Sequence, residues 1–309
     1  MTNASEQATP LLSCDGARID AGGVALLQGL SCVGAGNGLG LVGAWAPLFA
    51  LIGREAELGA GRVEVDGTDA RRATALGVVG LARHEPGMPP GWSATRYLTE
   101  SARLLGLSMR QSRHAAHDAL DTLGLAALGQ RSLARLDAVE RRALLIAHAT
   151  LGAPRVLALE GPLDGLDPAA VARLLPLVDR AAAGRRLLWS AADPAPTGAA
   201  RGLLDRMDEV LVLEAGSLVA EGPPGHALAP STRYLVTVAR GACELTGQLE
   251  ARGLDVHAAG DDAPSTAARL IVELGADSTP NDVLSAALEL SIPVLELVPL
   301  APAPTREAS

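Results

Sequence analysis

The glycines of Gly34-Ala-Gly-Asn-Gly-Leu-Gly40 stand at the spacing of a dinucleotide-binding fingerprint. Such a loop brings backbone amides to a pyrophosphate when it joins a strand to a helix N-terminus. Here it precedes a strand-like run, Leu39–Val42, so a glycine-rich hairpin is the expected structure. A second candidate follows, where Leu41-Val42-Gly43 leads into Ala44–Gly53. A phosphate-cradling loop of the form G-x-x-x-x-G-K-[ST] supplies amides, a lysine and a hydroxyl. Counted back from Gly53, this loop is about four residues too short for that pattern. It has no Lys, Ser or Thr, and Trp45 and Phe49 add apolar bulk. No lysine occurs anywhere in the chain, and all 26 basic residues are arginine. Arg54 lies near the loop but follows Gly53, at the far end of the expected helix.

The remaining reactive side chains are dispersed. His84 stands alone in a loop, where it reads as a solvated residue or as a titrating contact to a partner. His114 and His117 are i,i+3 on an expected helix but lack supporting acids or cysteines, so no metal site is expected. Cys14, Cys32 and Cys243 show no paired or metal-ligand spacing and are expected as buried thiols in a reducing cytoplasm. Asp167, between Gly165 and Pro168, fits an ordinary turn and helix start as well as a functional position.

A formal net charge of −9 disfavours nonspecific nucleic-acid binding, and the six aromatics are too scattered for a base-stacking platform. Hydrophobic residues make up 48% of the chain, enough for a core. Residues 1–20 lack the apolar centre of a secretory leader. Residues 21–53 carry no charge, but Pro47 and repeated glycines favour short buried strands over a membrane span.

These residues need elements to position them. Short strands are expected over 11–33 with a turn at Gly22-Gly23, then a strand at Leu39–Val42 and a helix at Leu48–Ile52. Arg62-Val-Glu-Val-Asp-Gly alternates like a strand entering a turn. Tyr97, Leu98, Leu104, Leu105, Ala119, Leu120 and Leu123 recur at helical spacing and predict a small helical insert over 93–127. Helices at Arg141–Leu151 and Ala169–Ala183 and buried strands at 155–159 and 186–189 complete an α/β domain with a mainly parallel sheet. Beyond Pro223-Pro224 the order β-α-β-β-α-β restarts, a ferredoxin-like arrangement.

The run LDAVERRALLIAHATLGAPRVLALEGPLDGLDP, 136–168, resembles the signature-to-D-loop region of ABC transporter ATP-binding subunits. GRVEVDG (61–67), EPGMPPGWSATRYLTESARLLGL (85–107) and LLDRMDEVLVLEAGSLVAEGPP (203–224) resemble further segments of that family in the same order. The resemblance implies a flexible N-terminus over 1–10 and a P-loop NTPase-like domain over 11–228 with a helical subdomain at about 90–135. The ferredoxin-like domain at 232–300 resembles one found in some bacterial members, and 301–309 reads as a loose tail.

The resemblance also places the family's nucleotide-site positions in this chain, where most carry other residues. Gly43 enters a shortened phosphate loop, His84 stands for the water-binding Gln, and Asp137 for the signature Ser. Glu160 takes the place of the Mg²⁺-binding Asp and could ligate metal through water. Gly161 replaces the catalytic Glu and has no side chain to act as a base. Ala192 replaces the switch His, no aromatic before Trp45 can stack on adenine, and Asp167 of the D-loop survives. The implied function is a noncatalytic subunit of an ABC-type membrane transport complex, with ATP and Mg²⁺ binding weak or absent and no cofactor. Its implied partners are a membrane-spanning subunit and a second ATPase subunit or a second copy, with no nucleic acid. It would lie in the cytoplasm, peripheral to the membrane. Two alternatives stay open: a soluble scaffold or regulator, and an atypical ATPase.

Overall fold

A computed structural model describes residues 9–193, 197–214, 216–228, 233–258, 268–275 and 278–299. The expected tail at 301–309, and residues 1–8 of the expected N-terminal segment, lie outside them. The chain divides into two compact units, Met1–Leu228 and Ala229–Ser309.

The first unit opens with a hairpin of β1 (Leu12–Ala21) and β2 (Val24–Gly34). Gly22 and Gly23 have φ of +56° and +81°, as a two-residue primed turn requires. Next come β3 (Gly38–Gly43), α1 (Ala46–Ile52), β4 (Glu57–Val65), β5 (Thr68–Asp69), α2 (Ala70–Ala73) and β6 (Val79–Ala82). The helical insert consists of α3 (Ala94–Leu104) and α4 (Met109–Thr122), each capped by a serine, Ser93 and Ser108. Then follow α5 (Ala138–Ala149), β7 (Val156–Leu159), α6 (Pro168–Ala182), β8 (Arg186–Ala191), α7 (Gly198–Leu204), β9 (Glu209–Glu214), β10 (Ser217–Gly222) and α8 (Pro224–Ala227).

Two sheets form this unit. One is antiparallel, in the order β2-β1-β4-β5. The other runs β10-β9-β3-β8-β7-β6 and is parallel except for the β9–β10 pair. Its strands read as apolar runs because both faces are covered. Val156 and Ala158 join a core with α1 and the antiparallel sheet, while Leu157 and Leu159 join a core with α5 and α6.

The glycine-rich segment 34–40 is not a hairpin. It carries the chain from β2 in one sheet to β3 in the other. Its amides are held by carboxylates of this chain: Ala35 N donates to Glu209 Oε2 at 2.7 Å, and Asn37 N and Gly38 N donate to Asp208 Oδ2 at 2.6 and 2.9 Å. A fingerprint-like glycine pattern therefore serves a crossing between sheets. Gly36, at φ +80°, lies so close to Asp208 that a Cβ would come within 2.6 Å of the Asp208 Cβ.

Of the three thiols expected to be buried, two are. Cys243 is exposed, and Cys14 and Cys32 are buried directly opposite each other in the β1–β2 ladder. In the helical insert Leu98 is buried as expected, but Leu104 is 89% exposed because it ends α3 outside the core-facing stripe.

The second unit contains β11 (Arg233–Val238), α9 (Ala242–Ala251), β12 (Asp255–Ala258), β13 (Ala268–Glu273), α10 (Pro280–Glu289) and β14 (Val294–Pro299). Its sheet order is β12-β13-β11-β14, all neighbours antiparallel, which is the split βαβ arrangement. Val236, Val238, Leu270 and Val272 pack on Leu245 and Leu249 of α9 and Val283 and Ala286 of α10.

Candidate functional site

The parallel strands β3, β6, β7 and β8 end at one edge, where open α/β sheets bind their ligands. The turns leaving them hold Gly43, His84, Glu160 with Gly161, and Ala192. The topology thus gathers positions that are far apart in sequence. Asp137 and Asp167 start α5 and α6.

At the phosphate-loop position, only Ala44 and Trp45 separate β3 from α1. Gly43 has φ +97°, and a Cβ there would lie 2.0 Å from the Leu213 carbonyl oxygen. Ala44 N donates to Leu213 O at 3.4 Å, Trp45 N to Gly43 O at 2.9 Å and Leu48 N to Trp45 O at 3.0 Å. Pro47, in the first turn, has no N–H to offer. The Trp45 indole is 1% exposed and donates from Nε1 to Val42 O at 3.0 Å. The amides of Ala44, Trp45 and Leu48 are therefore bonded within the chain, and the Trp45 indole is buried beside them. Arg54 lies beyond the C-cap of α1, at φ +62°, away from this turn.

Glu160 is 9% exposed, and its Oε2 accepts from Arg83 Nε at 2.5 Å and from the His84 amide at 3.0 Å. Arg83 also pairs with Glu55 at 2.9 Å. Gly161 donates its amide to Ser190 Oγ at 3.0 Å. Its φ is +47°, and a Cβ would lie 2.4 Å from Asp164 Oδ2 and 3.0 Å from His84 Nδ1. A glutamate at this position would collide with Asp164, whose Oδ2 accepts from the Ala192 amide at 3.0 Å.

His84 is engaged rather than solvated. Arg142 reaches it with Nη2 at 2.9 Å from Nε2 and with Nη1 at 2.6 Å from the His84 carbonyl. Nδ1 lies 3.0 Å from Gly161 O and 2.6 Å from Arg142 Nη1, so the guanidinium meets both ring nitrogens as well as the carbonyl. Arg142 is 8% exposed. Burial lowers its pKa, opposed by the carboxylates of Glu85, Asp164 and Glu160, and a guanidinium stays charged regardless. The sheet edge therefore holds a buried cation surrounded by acids and carbonyls.

Arg142, not among the expected site residues, does carry a signal in the sequence. Arg142, Leu145, Ile146 and Ala149 stand at i, i+3, i+4 and i+7, and all are buried on α5. An arginine on an apolar helical stripe marks a buried charge that needs partners. Arg83, Asp164 and Ser190 carried no comparable pattern.

The helix starts are accounted for by capping. Asp137 accepts from Glu140 N at 2.8 Å, and Glu140 Oε2 accepts from Asp137 N at 3.0 Å. This capping box starts α5 at Ala138, three residues before the expected Arg141. Glu140 is fixed in turn by an ion pair with Arg131. Asp167 accepts from Ala170 N at 2.8 Å, with Pro168 in the first turn.

Beside this edge, a cavity of about 370 Å³ lies against α3. Tyr97, Leu104, Leu105, His148 and Arg83 are among its lining residues. The Tyr97 and His148 rings are 5.5 Å apart. Burial lowers the His148 pKa and raises that of Tyr97. Among the described residues no group of three or more His, Cys, Asp or Glu could hold a metal ion, and no helix is long and apolar enough to cross a membrane.

The chain matches no family model. It is 29% identical over 174 residues to the daunorubicin resistance ATP-binding protein DrrA3 of Streptomyces coeruleorubidus, covering 53% of this chain and 51% of that protein. It is 29% identical over 224 residues to the Fe(3+) ions import ATP-binding protein FbpC of Streptomyces coelicolor, covering 69% of this chain and 62% of that protein. In each case the match spans less than two thirds of the relative. Among solved structures, cbiO1 from Clostridium perfringens, part of the ABC transporter complex cbiONQ, superposes with a TM-score of 0.58 at 17% identity, covering 79% of this chain and 96% of that one. The ADP conformation of MJ1267, an ATP-binding cassette of an ABC transporter, gives 0.55 at 17% identity, covering 71% and 93%. The fold is that of an ABC ATPase domain, and the sequence relatives support the resemblance to ABC transporter ATP-binding subunits.

Proposed function

We propose, from the premise of an ABC ATPase fold, that this chain is a noncatalytic subunit of an ABC-type membrane transport complex. The observation that carries this reading is the turn after β3. The Ala44 and Trp45 amides are bonded to Leu213 O and Gly43 O, Pro47 offers no N–H in the first turn of α1, and the Trp45 indole is bonded to Val42 O. A triphosphate there would have to displace a buried indole and break backbone hydrogen bonds, with no lysine to offset the cost.

Two further features support the loss of hydrolysis. Glu160 is neutralised by Arg83, so a Mg²⁺ ligand would have to be taken from an ion pair. Gly161 has neither a base nor room for one. The retained role is docking. The cavity against α3, with Leu104 89% exposed and Leu105 41% exposed at its rim, offers a concave apolar surface. A cytoplasmic segment of a separate membrane protein would fill it.

Phosphate release from MgATP by the full chain tests the catalytic part. The expected rate is that of buffer. A rate above buffer that is lost in Glu160→Gln would overturn the reading.

A further inference from the structure

Cys14 on β1 and Cys32 on β2 are register partners across an antiparallel pair. Directly opposed residues point to the same face with Cβ atoms about 4.5–5.5 Å apart. A disulfide spans about 3.5–4.5 Å between Cβ atoms, so closure needs about one ångström of approach. The ladder has slack at this point. Register shifts follow Cys14 on its β2 side, before Ala17, and Asp15 on its β4 side, before Arg18. Both thiols are free, and they are 4% and 6% exposed. The facing Cys32 side chain and burial hold the Cys14 thiol above its ordinary value, and the facing Cys14 side chain lowers that of Cys32, opposed by burial, Glu221 and Glu209.

We propose that Cys14 and Cys32 are an oxidative modification site, closed by hydrogen peroxide into an intrachain disulfide that ties β1 to β2. The Cys32 sulfur attacks one peroxide oxygen, an S–O bond forms, the O–O bond breaks, and the leaving hydroxide takes a proton to become water. The Cys14 sulfur then attacks the Cys32 sulfur. The S–S bond forms, the S–O bond breaks, and the second oxygen leaves as water with the Cys14 proton. Two thiols lose two electrons and the peroxide gains them. The low exposure selects a small oxidant over a bulky disulfide donor. Cys243, exposed on the second unit, has no partner thiol in register and serves as the internal comparison.

The test uses the full chain in a Cys243→Ser background, treated with hydrogen peroxide and then alkylated under denaturing conditions. Arg18 separates the two cysteines, and because the chain has no lysine the next tryptic site is Arg54. The expected product is a linked pair of peptides, Met1–Arg18 and Ile19–Arg54, separable by dithiothreitol. The melting midpoint should rise by several degrees on oxidation, and this rise should be absent in Cys14→Ala and in Cys32→Ala. Two alkylatable thiols after peroxide treatment would overturn the proposal. So would conversion of each to a sulfinic acid without a link.

Discussion

The carboxyl edge of the parallel sheet and the cavity against α3 are neighbours, and they were built on opposite terms. At the sheet edge, polar groups that could meet a ligand meet each other: Glu160 with Arg83, His84 with Arg142, Asp164 with Ala192, and the loop amides with Leu213 and Gly43. At the cavity, Leu104 and Leu105 present apolar surface to solvent. Polar groups buried at the sheet edge pair with each other, because an orphaned buried polar group costs more than a paired one. An exposed apolar surface of this kind keeps apolar groups in water, as the proposed docking role requires.

If the first region is self-satisfied, disturbing it should cost stability, whereas disturbing the second should not. The largest effect is expected at Gly43→Ala, where a Cβ would lie 2.0 Å from Leu213 O at φ +97°. A loss of about 3–5 kcal/mol in urea unfolding is the expected result. Arg142→Met should follow, at about 2–4 kcal/mol, because it leaves the His84 carbonyl and imidazole without the guanidinium that meets them. Arg142→Lys should not restore the loss, since one ammonium cannot reach both sides of the imidazole edge. A small change in either variant would mean that the network is incidental.

At Asp137 the comparison sharpens. Asp137→Ala should cost about 1 kcal/mol through the lost cap, while Asp137→Ser should be near neutral because serine caps as well. If Asp137→Ser were instead to create nucleotide binding, the sheet edge would be less closed than described.

His148 supplies a pH test of the cavity wall. Its pKa is lowered in the fold by burial, so protonation favours the unfolded chain. Its contribution is fully present above its unfolded value, about 6.5, and is lost as pH falls through the lower folded value. Unfolding free energy should therefore decline as pH drops below that point, and His148→Gln should flatten the decline. The smallest effect on stability is expected at Leu104→Ser, within about 0.5 kcal/mol, because the side chain is 89% exposed. A larger loss there would show that the leucine belongs to the core and not to a docking face.

The mainly parallel sheet of the first unit and the β-α-β-β-α-β succession of the second could be read from apolar runs and their spacing, since a buried parallel strand such as Val156–Leu159 has little choice of composition, whereas the strand order and the separate antiparallel sheet could not. That no lysine follows Gly43 and that Gly161 has no side chain was equally plain, because residue types are read directly. The contacts around these positions could not be read so. The Arg142–His84 pairing joins residues 58 apart in sequence. The facing of Cys14 and Cys32 depends on a hairpin register, which spacing alone does not set when bulges intervene. The glycine segment 34–40 misled because a crossing between sheets and a hairpin ask for the same residue type.

Calorimetric titration of the full chain with ATP and Mg²⁺, up to millimolar nucleotide, tests the central claim most directly. The account predicts no heat beyond dilution, since the turn after β3 is bonded internally beside the buried Trp45 indole. Saturable binding in the micromolar range would contradict it, because the turn would then have to open into a phosphate cradle with Trp45 displaced.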